Sequence, residues 1–153
     1  ALELQLNGGG RAIYHTMQEQ DVERIMRHPM TSIASDGRGV EWQKGSPHPR
    51  NYGTYPRSLA LYTRDKGVLS LPETIRKMTS LPASRMNLSD RGFLSKNYKA
   101  DIVIWDPDKV QDNSTYADPH QYSTGIDFVI VNGIPVIIEG KMTGALPGRG
   151  LKN

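Results

Sequence analysis

The spacing of the hydrophobic positions changes near residue 90. Before that point, apolar residues recur at helical spacing, which predicts amphipathic helices over residues 16–28, 56–64, 70–78 and 82–86. After it, apolar residues form short β-branched runs bounded by turn-forming pairs, which predicts strands at 102–105, 128–131 and 135–138. The chain is therefore expected to have an α/β part, residues 1–89, and an all-β part, residues 90–153.

Local signals refine the ends of these elements. Thr16–Glu19 and Ser70–Glu73 each have the spacing of a capping box, in which side chains satisfy free amides at a helix start. Pro29 is expected to end the first helix, since it cannot continue the hydrogen-bond ladder. The pair Asn132-Gly133 predicts a tight hairpin turn between the last two strands.

Two short apolar runs, 12–14 and 30–34, interrupt the helical part and are expected to be buried strands. The second runs into the sequence SIASDGRG, in which an apolar stretch ends on Asp36. Residues 37–56 then lack periodicity and are rich in Gly and Pro, which predicts a long and functional loop. Two interpretations of Asp36 are open: an ordinary Asp-Gly turn, or a catalytic acid at the end of a barrel strand.

Composition narrows the class of function. There are 19 Lys and Arg residues against 16 Asp and Glu, and because the basic residues are scattered, nucleic-acid binding is not expected. The longest apolar runs fall far short of the roughly 20 residues that a membrane helix needs. The sequence has no cysteine, which excludes disulfides and thiolate chemistry within it. This leaves the cellular compartment open; a cytoplasmic location is expected.

Several stretches resemble one known family. KADIVIWDPDKV and VNGIPVIIEGKMTGALPGRGL resemble the small β domain of amidohydrolase-superfamily enzymes, and HPMTSIASDG resembles the last strand of their barrel. SPHPRNYGTYPR, together with DRGFLSKNYKAD and ADPHQYSTGI, is similar to the D-aminoacylase (N-acyl-D-amino-acid deacylase) branch. The resemblance extends from about residue 12 to residue 150.

The resemblance implies a fold. Residues 1–89 would be the last strands and helices of a (β/α)₈ metallo-hydrolase barrel, with the active-site loop at 37–56. Residues 90–153 would be the C-terminal half of a small β-sandwich domain. The family's zinc-binding cysteine and paired histidines have no counterparts in this sequence. The chain is therefore expected to be the C-terminal portion of such an enzyme and to be inactive alone.

The resemblance also assigns site residues. It makes Asp36 the general acid/base and a candidate ligand to a second, weaker metal, and it makes Arg50 the ligand of the substrate's α-carboxylate. His48 is expected to line the pocket or orient Arg50, with an ordinary loop histidine as the alternative. The spacing from Asp36 to His48 is a few residues longer than the family pattern, which indicates an insertion able to displace Arg50. The other histidines, His15, His28 and His120, are too widely spaced to predict a zinc site.

The function implied is zinc-dependent hydrolysis of N-acyl-D-amino acids to a carboxylate and a D-amino acid. The expected partners are that substrate and the remainder of the enzyme, or a second copy of the chain; neither nucleic acid nor membrane is expected. Two alternatives stay open: another superfamily hydrolase, acting on cyclic amides or as a deaminase, and a non-catalytic β-rich interaction module.

Overall fold

Helices form the first part of the protein and an antiparallel sheet forms the last part. The computed structural model describes residues 2–9 and 16–151. The helices are α1 Leu2–Leu6, α2 Glu19–Arg27, α3 Arg50–Arg57, α4 Leu71–Met78 and α5 Ser80–Arg85, and a π-helical segment, Ser58–Asp65, continues α3. The strands are β1 Ile102–Trp105, β2 Ile126–Val131, β3 Ile134–Ile138 and β4 Lys141–Met142. The predicted change from helical to extended structure is confirmed, whereas α1 and β4 were not predicted.

The helix predicted over 16–28 forms as α2, but it begins later, at Glu19, and without the predicted capping box. Gln18 is the N-cap and makes no capping hydrogen bond through its side chain. The carboxylate of Glu19 instead accepts a hydrogen bond from Lys66, which follows the π-helical segment. Val22 and Met26 pack against the buried cluster of Tyr62, Val68 and Leu69. A tertiary ion pair between Glu19 and Lys66 therefore takes the place of the local capping hydrogen bonds.

The predicted start of α4 at Ser70 is confirmed, although the predicted capping box does not form. Ser70 is the N-cap with extended backbone and makes no capping hydrogen bond through its side chain. Glu73 pairs with Arg76 along the helix, and this pairing lowers the pKa of Glu73 to about 2. The carboxylate is thus already engaged one turn further along.

The helix predicted at 56–64 begins earlier, at Arg50, so the predicted loop over 37–56 is wrong in its last residues. Gly53 and Pro56 lie inside α3 although both residue types disfavour helix interiors. The π-helical segment that follows ends before Gly67, whose φ of +61° turns the chain away. Contacts with the β part, described below, outweigh the local preferences here.

Residues 30–34 are not a strand. The segment is extended, and the Ile33 amide donates one backbone hydrogen bond, of 3.0 Å, to the Lys77 carbonyl. Among the described residues no strand lies beside this segment, so it has no ladder to join. The other predicted strand of this part, 12–14, lies outside the described residues.

A buried lysine fastens this extended segment to α4. The Lys77 side chain is fully buried, and its ammonium donates hydrogen bonds to the carbonyls of His28 and Thr31. Arg76 donates to the carbonyl of Pro29. Buried charge requires such partners, and the effect is to hold the chain that leads to Asp36.

The four strands lie in sequence order, β1-β2-β3-β4, and every neighbouring pair is antiparallel. The predicted hairpin is confirmed: Asn132 and Gly133 both have positive φ, +49° and +80°, as a type I′ turn requires. Val103 and Ile104, adjacent in β1, remain 52% and 49% exposed. Adjacent strand residues point to opposite faces, so the sheet presents apolar surface on both sides.

Polar contacts join the two parts, and a cavity lies between them. The Arg64 guanidinium donates to the carbonyl of Val110 at 2.9 Å and to the side chain of Gln111 at 3.2 Å. A largely apolar cavity of about 780 Å³ separates the helices from the sheet; its lining includes Pro56, Leu59 and Trp105. No helix in the described ranges is both long and apolar enough to cross a bilayer.

Gly125→Ala should destabilise the fold much more than Gly133→Ala. Both glycines have positive φ, +76° and +80°, but a Cβ at Gly125 would lie 2.4 Å from the backbone of Val110, whereas Gly133 has open space around it. We expect Gly133→Ala to lower the free energy of unfolding by about 1–2 kcal/mol, and Gly125→Ala by a further ~1–3 kcal/mol. Urea denaturation measures both, and equal losses would contradict this packing.

Candidate active site

Asp36 and Arg50 come together at the end of the extended segment. Arg50 Nη2 lies 2.7 Å from Asp36 Oδ2, and the two side chains are 39% and 84% exposed. Asp36 has a φ of +46°, a left-handed conformation that Asp tolerates better than most residues. Asp36 therefore ends the extended segment in a left-handed conformation, outside any regular turn, and its carboxylate pairs with Arg50; its role as a catalytic acid stays a prediction.

Hydrogen bonds attach the chain after Asp36 to the start of α3. The Gly37 amide donates to Ser35 Oγ at 3.1 Å, and the Arg38 amide donates to Asn51 Oδ1 at 2.8 Å. A Cβ on Gly37 would lie 3.3 Å from the Asn51 backbone, which is tighter than ordinary contact. Asn51, which sequence analysis did not single out, therefore sets the distance between the segment that carries Asp36 and the helix that carries Arg50.

His48 holds the backbone of Arg50. Its Nδ1 accepts a hydrogen bond of 3.0 Å from the Arg50 amide, which is one of the free amides at the start of α3. Its Nε2 lies 3.1 Å from the Tyr116 hydroxyl. A main-chain amide can only donate, so Nδ1 is unprotonated and the ring carries its proton on Nε2. Partial burial lowers the pKa of His48, the Arg50 guanidinium acts in the same direction, and the Asp36 carboxylate opposes both.

A segment of the β part, residues 111–124, also contacts α3. The Asp112 carboxylate lies so close to Gly53 that a Cβ there would be 1.8 Å from Oδ1. Asp112 Oδ2 also lies 3.7 Å from Arg57 Nη1, and the Ser123 hydroxyl donates to the Tyr52 carbonyl at 3.2 Å. Sequence analysis missed these supports. Ser123 lies in the ADPHQYSTGI stretch, which was used only as a family marker, whereas Asp112 lies before that stretch and carried no signal in the sequence.

The described residues do not form a complete metal site. Within residues 2–9 and 16–151, no three His, Asp or Glu side chains lie close enough together to hold a metal ion. Asp36 presents one exposed carboxylate, whose observed partner is Arg50. His28 accepts the Met30 amide, His120 bonds to loop residues, and His15 lies outside the described residues. These residues do not fit a zinc ion by themselves, and we assign them no step through one.

The arrangement provides a carboxylate and a guanidinium side by side near the protein surface. An exposed carboxylate can accept or donate a proton. A guanidinium has five N–H donors, so Arg50 keeps donors for a second carboxylate after bonding to Asp36. The site is thus suited to a substrate that carries a carboxylate next to a bond that needs proton transfer.

Comparison with known proteins identifies the family. A model described as the amidohydrolase family matches residues 4–137. The chain belongs to this family. The D-aminoacylase of Alcaligenes xylosoxydans xylosoxydans is 44% identical over 147 residues, which cover 96% of this chain and 29% of that enzyme.

Solved structures of the amidohydrolase family agree with the fold. A D-aminoacylase studied for its binuclear metal centre superimposes with a TM-score of 0.80 at 40% identity, over 86% of this chain and 27% of that one. The N-acyl-D-glutamate deacylase of Bordetella bronchiseptica, complexed with zinc and a phosphonate mimic of the tetrahedral intermediate, gives 0.73 at 38% identity, over 78% and 25%. The chain spans less than a third of the length of these relatives.

The pKa of His48 should respond to the charges of both Arg50 and Asp36. We expect His48 to titrate below the usual value of about 6.5, Arg50→Met to raise its pKa, and Asp36→Asn to lower it. Because its folded pKa is the lower one, His48 favours folding above about pH 6.5, and that contribution is lost as pH falls toward the folded pKa. NMR titration of the imidazole resonances measures this. Shifts in the same direction for both variants would contradict the geometry.

Proposed function

We propose that this chain carries the proton-transfer carboxylate and the substrate clamp of an enzyme that hydrolyses N-acyl-D-amino acids. The observation that carries the proposal is the contact of Asp36 with Arg50, 2.7 Å apart at the end of the extended segment. The substrate class comes from the relatives, a D-aminoacylase and an N-acyl-D-glutamate deacylase.

The two side chains have complementary tasks. An N-acyl amino acid has a free α-carboxylate, which a guanidinium binds with two parallel hydrogen bonds; Arg50 provides that group. Asp36 takes a proton from the attacking water and returns it to the leaving amine. Zinc, present in the deacylase relative, is the Lewis acid of such hydrolysis, and its main ligands would come from outside the described residues.

The fold supports this assignment when it is placed in a larger enzyme. We propose that residues 1–89 complete a barrel, where residues 30–34 find the neighbouring strands that they lack here. Residues 90–153 would form half of a sandwich, because the sheet has apolar residues on both faces and its outer strands, β1 and β4, have no further strand beside them in the described part of the chain. Active sites of such barrels lie at the C-terminal ends of the strands, which is where Asp36 follows the extended segment.

Asp36→Asn and Arg50→Met should separate the two tasks in the full-length enzyme. We expect Asp36→Asn to lower kcat by about 10²–10⁴-fold, the usual contribution of a general acid/base. Arg50→Met should raise KM by about 10–100-fold, because it removes hydrogen bonds to a charged group. Steady-state kinetics with an N-acyl-D-amino acid measure both.

Two controls accompany this experiment. Lys44→Met removes another cation of the same loop, paired with Glu41 at its surface, and should leave the kinetics unchanged. A cyclic-amide substrate tests the alternative chemistry. Faster turnover of a hydantoin ring than of the N-acyl-D-amino acid, with no effect of Arg50→Met, would reject the deacylase assignment.

The chain of 153 residues alone should show no deacylase activity and should associate. The described residues lack a metal site, and apolar sheet surface tends to be covered by another chain. Activity assays with added zinc and light scattering measure these two properties. Turnover at an ordinary enzymatic rate would contradict the first, and a stable monomer the second.

A further inference from the structure

His120, in the β part, bridges the loop before α3 and the helix itself. Its Nδ1 lies 3.3 Å from the backbone nitrogen of Gln43 and 2.8 Å from the Tyr52 hydroxyl, and its Nε2 lies 3.1 Å from the backbone carbonyl of Gly45. These partners are 68 to 77 residues away in sequence. One imidazole therefore fixes two points of the loop and one point of α3.

The three bonds define a single protonation state. The backbone N–H of Gln43 can only donate, so Nδ1 is the acceptor. The Gly45 carbonyl can only accept, so Nε2 carries the proton. The Tyr52 hydroxyl then donates to Nδ1. Burial raises the pKa of Tyr52, with Tyr122 acting in the same direction, which keeps this hydroxyl protonated. In this state the Tyr52 hydroxyl and the Gln43 backbone N–H share the one lone pair of Nδ1, and the shorter bond is the one from Tyr52.

Aromatic contacts complete the bridge. Trp42 stacks on Tyr122 with ring centroids 4.3 Å apart and planes 5° apart. The rings of Tyr52 and His120 meet Trp42 edge-on, at 6.0 and 5.8 Å. Such pairs stabilise the packing beyond the burial of their area. The loop is thus attached to residues 120–122 by its side chains as well as by its backbone.

The backbone of the loop needs this attachment. Gln43 has a φ of +59°, a left-handed conformation that is unfavourable for a residue with a side chain, and Gly45 has a φ of +66°. His120 bonds to both of these residues. The chain then continues directly through His48 to Arg50, so the path fixed at Gln43 and Gly45 determines where Arg50 enters α3.

We propose that His120 is a positioning residue for Arg50. The inference rests on the proposed role of Arg50 as the carboxylate ligand. In this proposal His120 acts through Arg50 and makes no contact with the substrate itself. It keeps the guanidinium aimed, so its removal should weaken the binding of the carboxylate more than it slows the chemistry.

The test uses the full-length enzyme and two substrates, an N-acyl-D-amino acid and its α-carboxamide, which lacks the negative charge. We expect His120→Ala to raise KM for the acid about 10–100-fold, as the loss of two or three hydrogen bonds predicts. kcat and the KM for the carboxamide should change less than about threefold. His120→Asn, which keeps one acceptor and one donor, should recover part of the loss.

Matched variants make the result interpretable. Gln121→Ala removes the neighbouring side chain, which bonds to Asp118 within its own turn, and should match the wild type. Tyr52→Phe removes only the hydroxyl at Nδ1 and should give a smaller KM effect, which provides a reading if His120→Ala does not fold. Equal losses for acid and carboxamide, or no loss at all, would overturn the proposal.

A double variant separates this inference from the proposed function. If Arg50→Met abolishes the discrimination between acid and carboxamide, adding His120→Ala to it should cause no further rise in KM. If Arg50→Met leaves the discrimination intact, the role of Arg50 itself is wrong. If Arg50→Met abolishes it but His120→Ala in the wild type does not reduce it, the clamp is right and the positioning role of His120 is wrong.

Discussion

The close approach of Gly53 to Asp112 fixes the position of α3, and the candidate site depends on it. A side chain at Gly53 would occupy the space of the Asp112 carboxylate. Because α3 also presents Arg57 and the Tyr52 carbonyl to the same segment, the helix is held along two turns. The β part therefore determines the placement of Arg50, although Arg50 lies in the helical part.

The ion pair at the site is better suited to exchange than to stability. Asp36 is largely exposed, and exposed pairs contribute at most about 1 kcal/mol because water screens them. Breaking the pair therefore costs little, so the substrate carboxylate of the proposed function could bind Arg50 either beside Asp36 or in its place. By contrast, the backbone near both residues is tied by bonds from His48 and Asn51, so the side chains can exchange partners while their attachment points stay fixed.

Sequence analysis predicted the elements that local chemistry decides. Helical periodicity located α2 and α4, and Asn132-Gly133 located the hairpin, because these depend on nearby residues. The start of α3 was missed because Gly53 and Pro56 disfavour helices, and only contact with Asp112 compensates. Residues 30–34 were predicted to be a strand because they are mostly apolar, but a strand also requires a neighbouring strand to pair with. Asp36, His48 and Arg50 could be named from the family pattern, whereas Asn51, Asp112 and His120 act through contacts distant in sequence.

The buried Lys77 has a consequence for solution chemistry. Its ammonium is enclosed by the carbonyls of His28 and Thr31, so amine-directed labelling reagents reach it only when the segment separates from α4. Surface lysines such as Lys44 and Lys109 are open to the same reagents at all times. The rate at which Lys77 becomes labelled would therefore measure how often the extended segment that ends at Asp36 separates from α4.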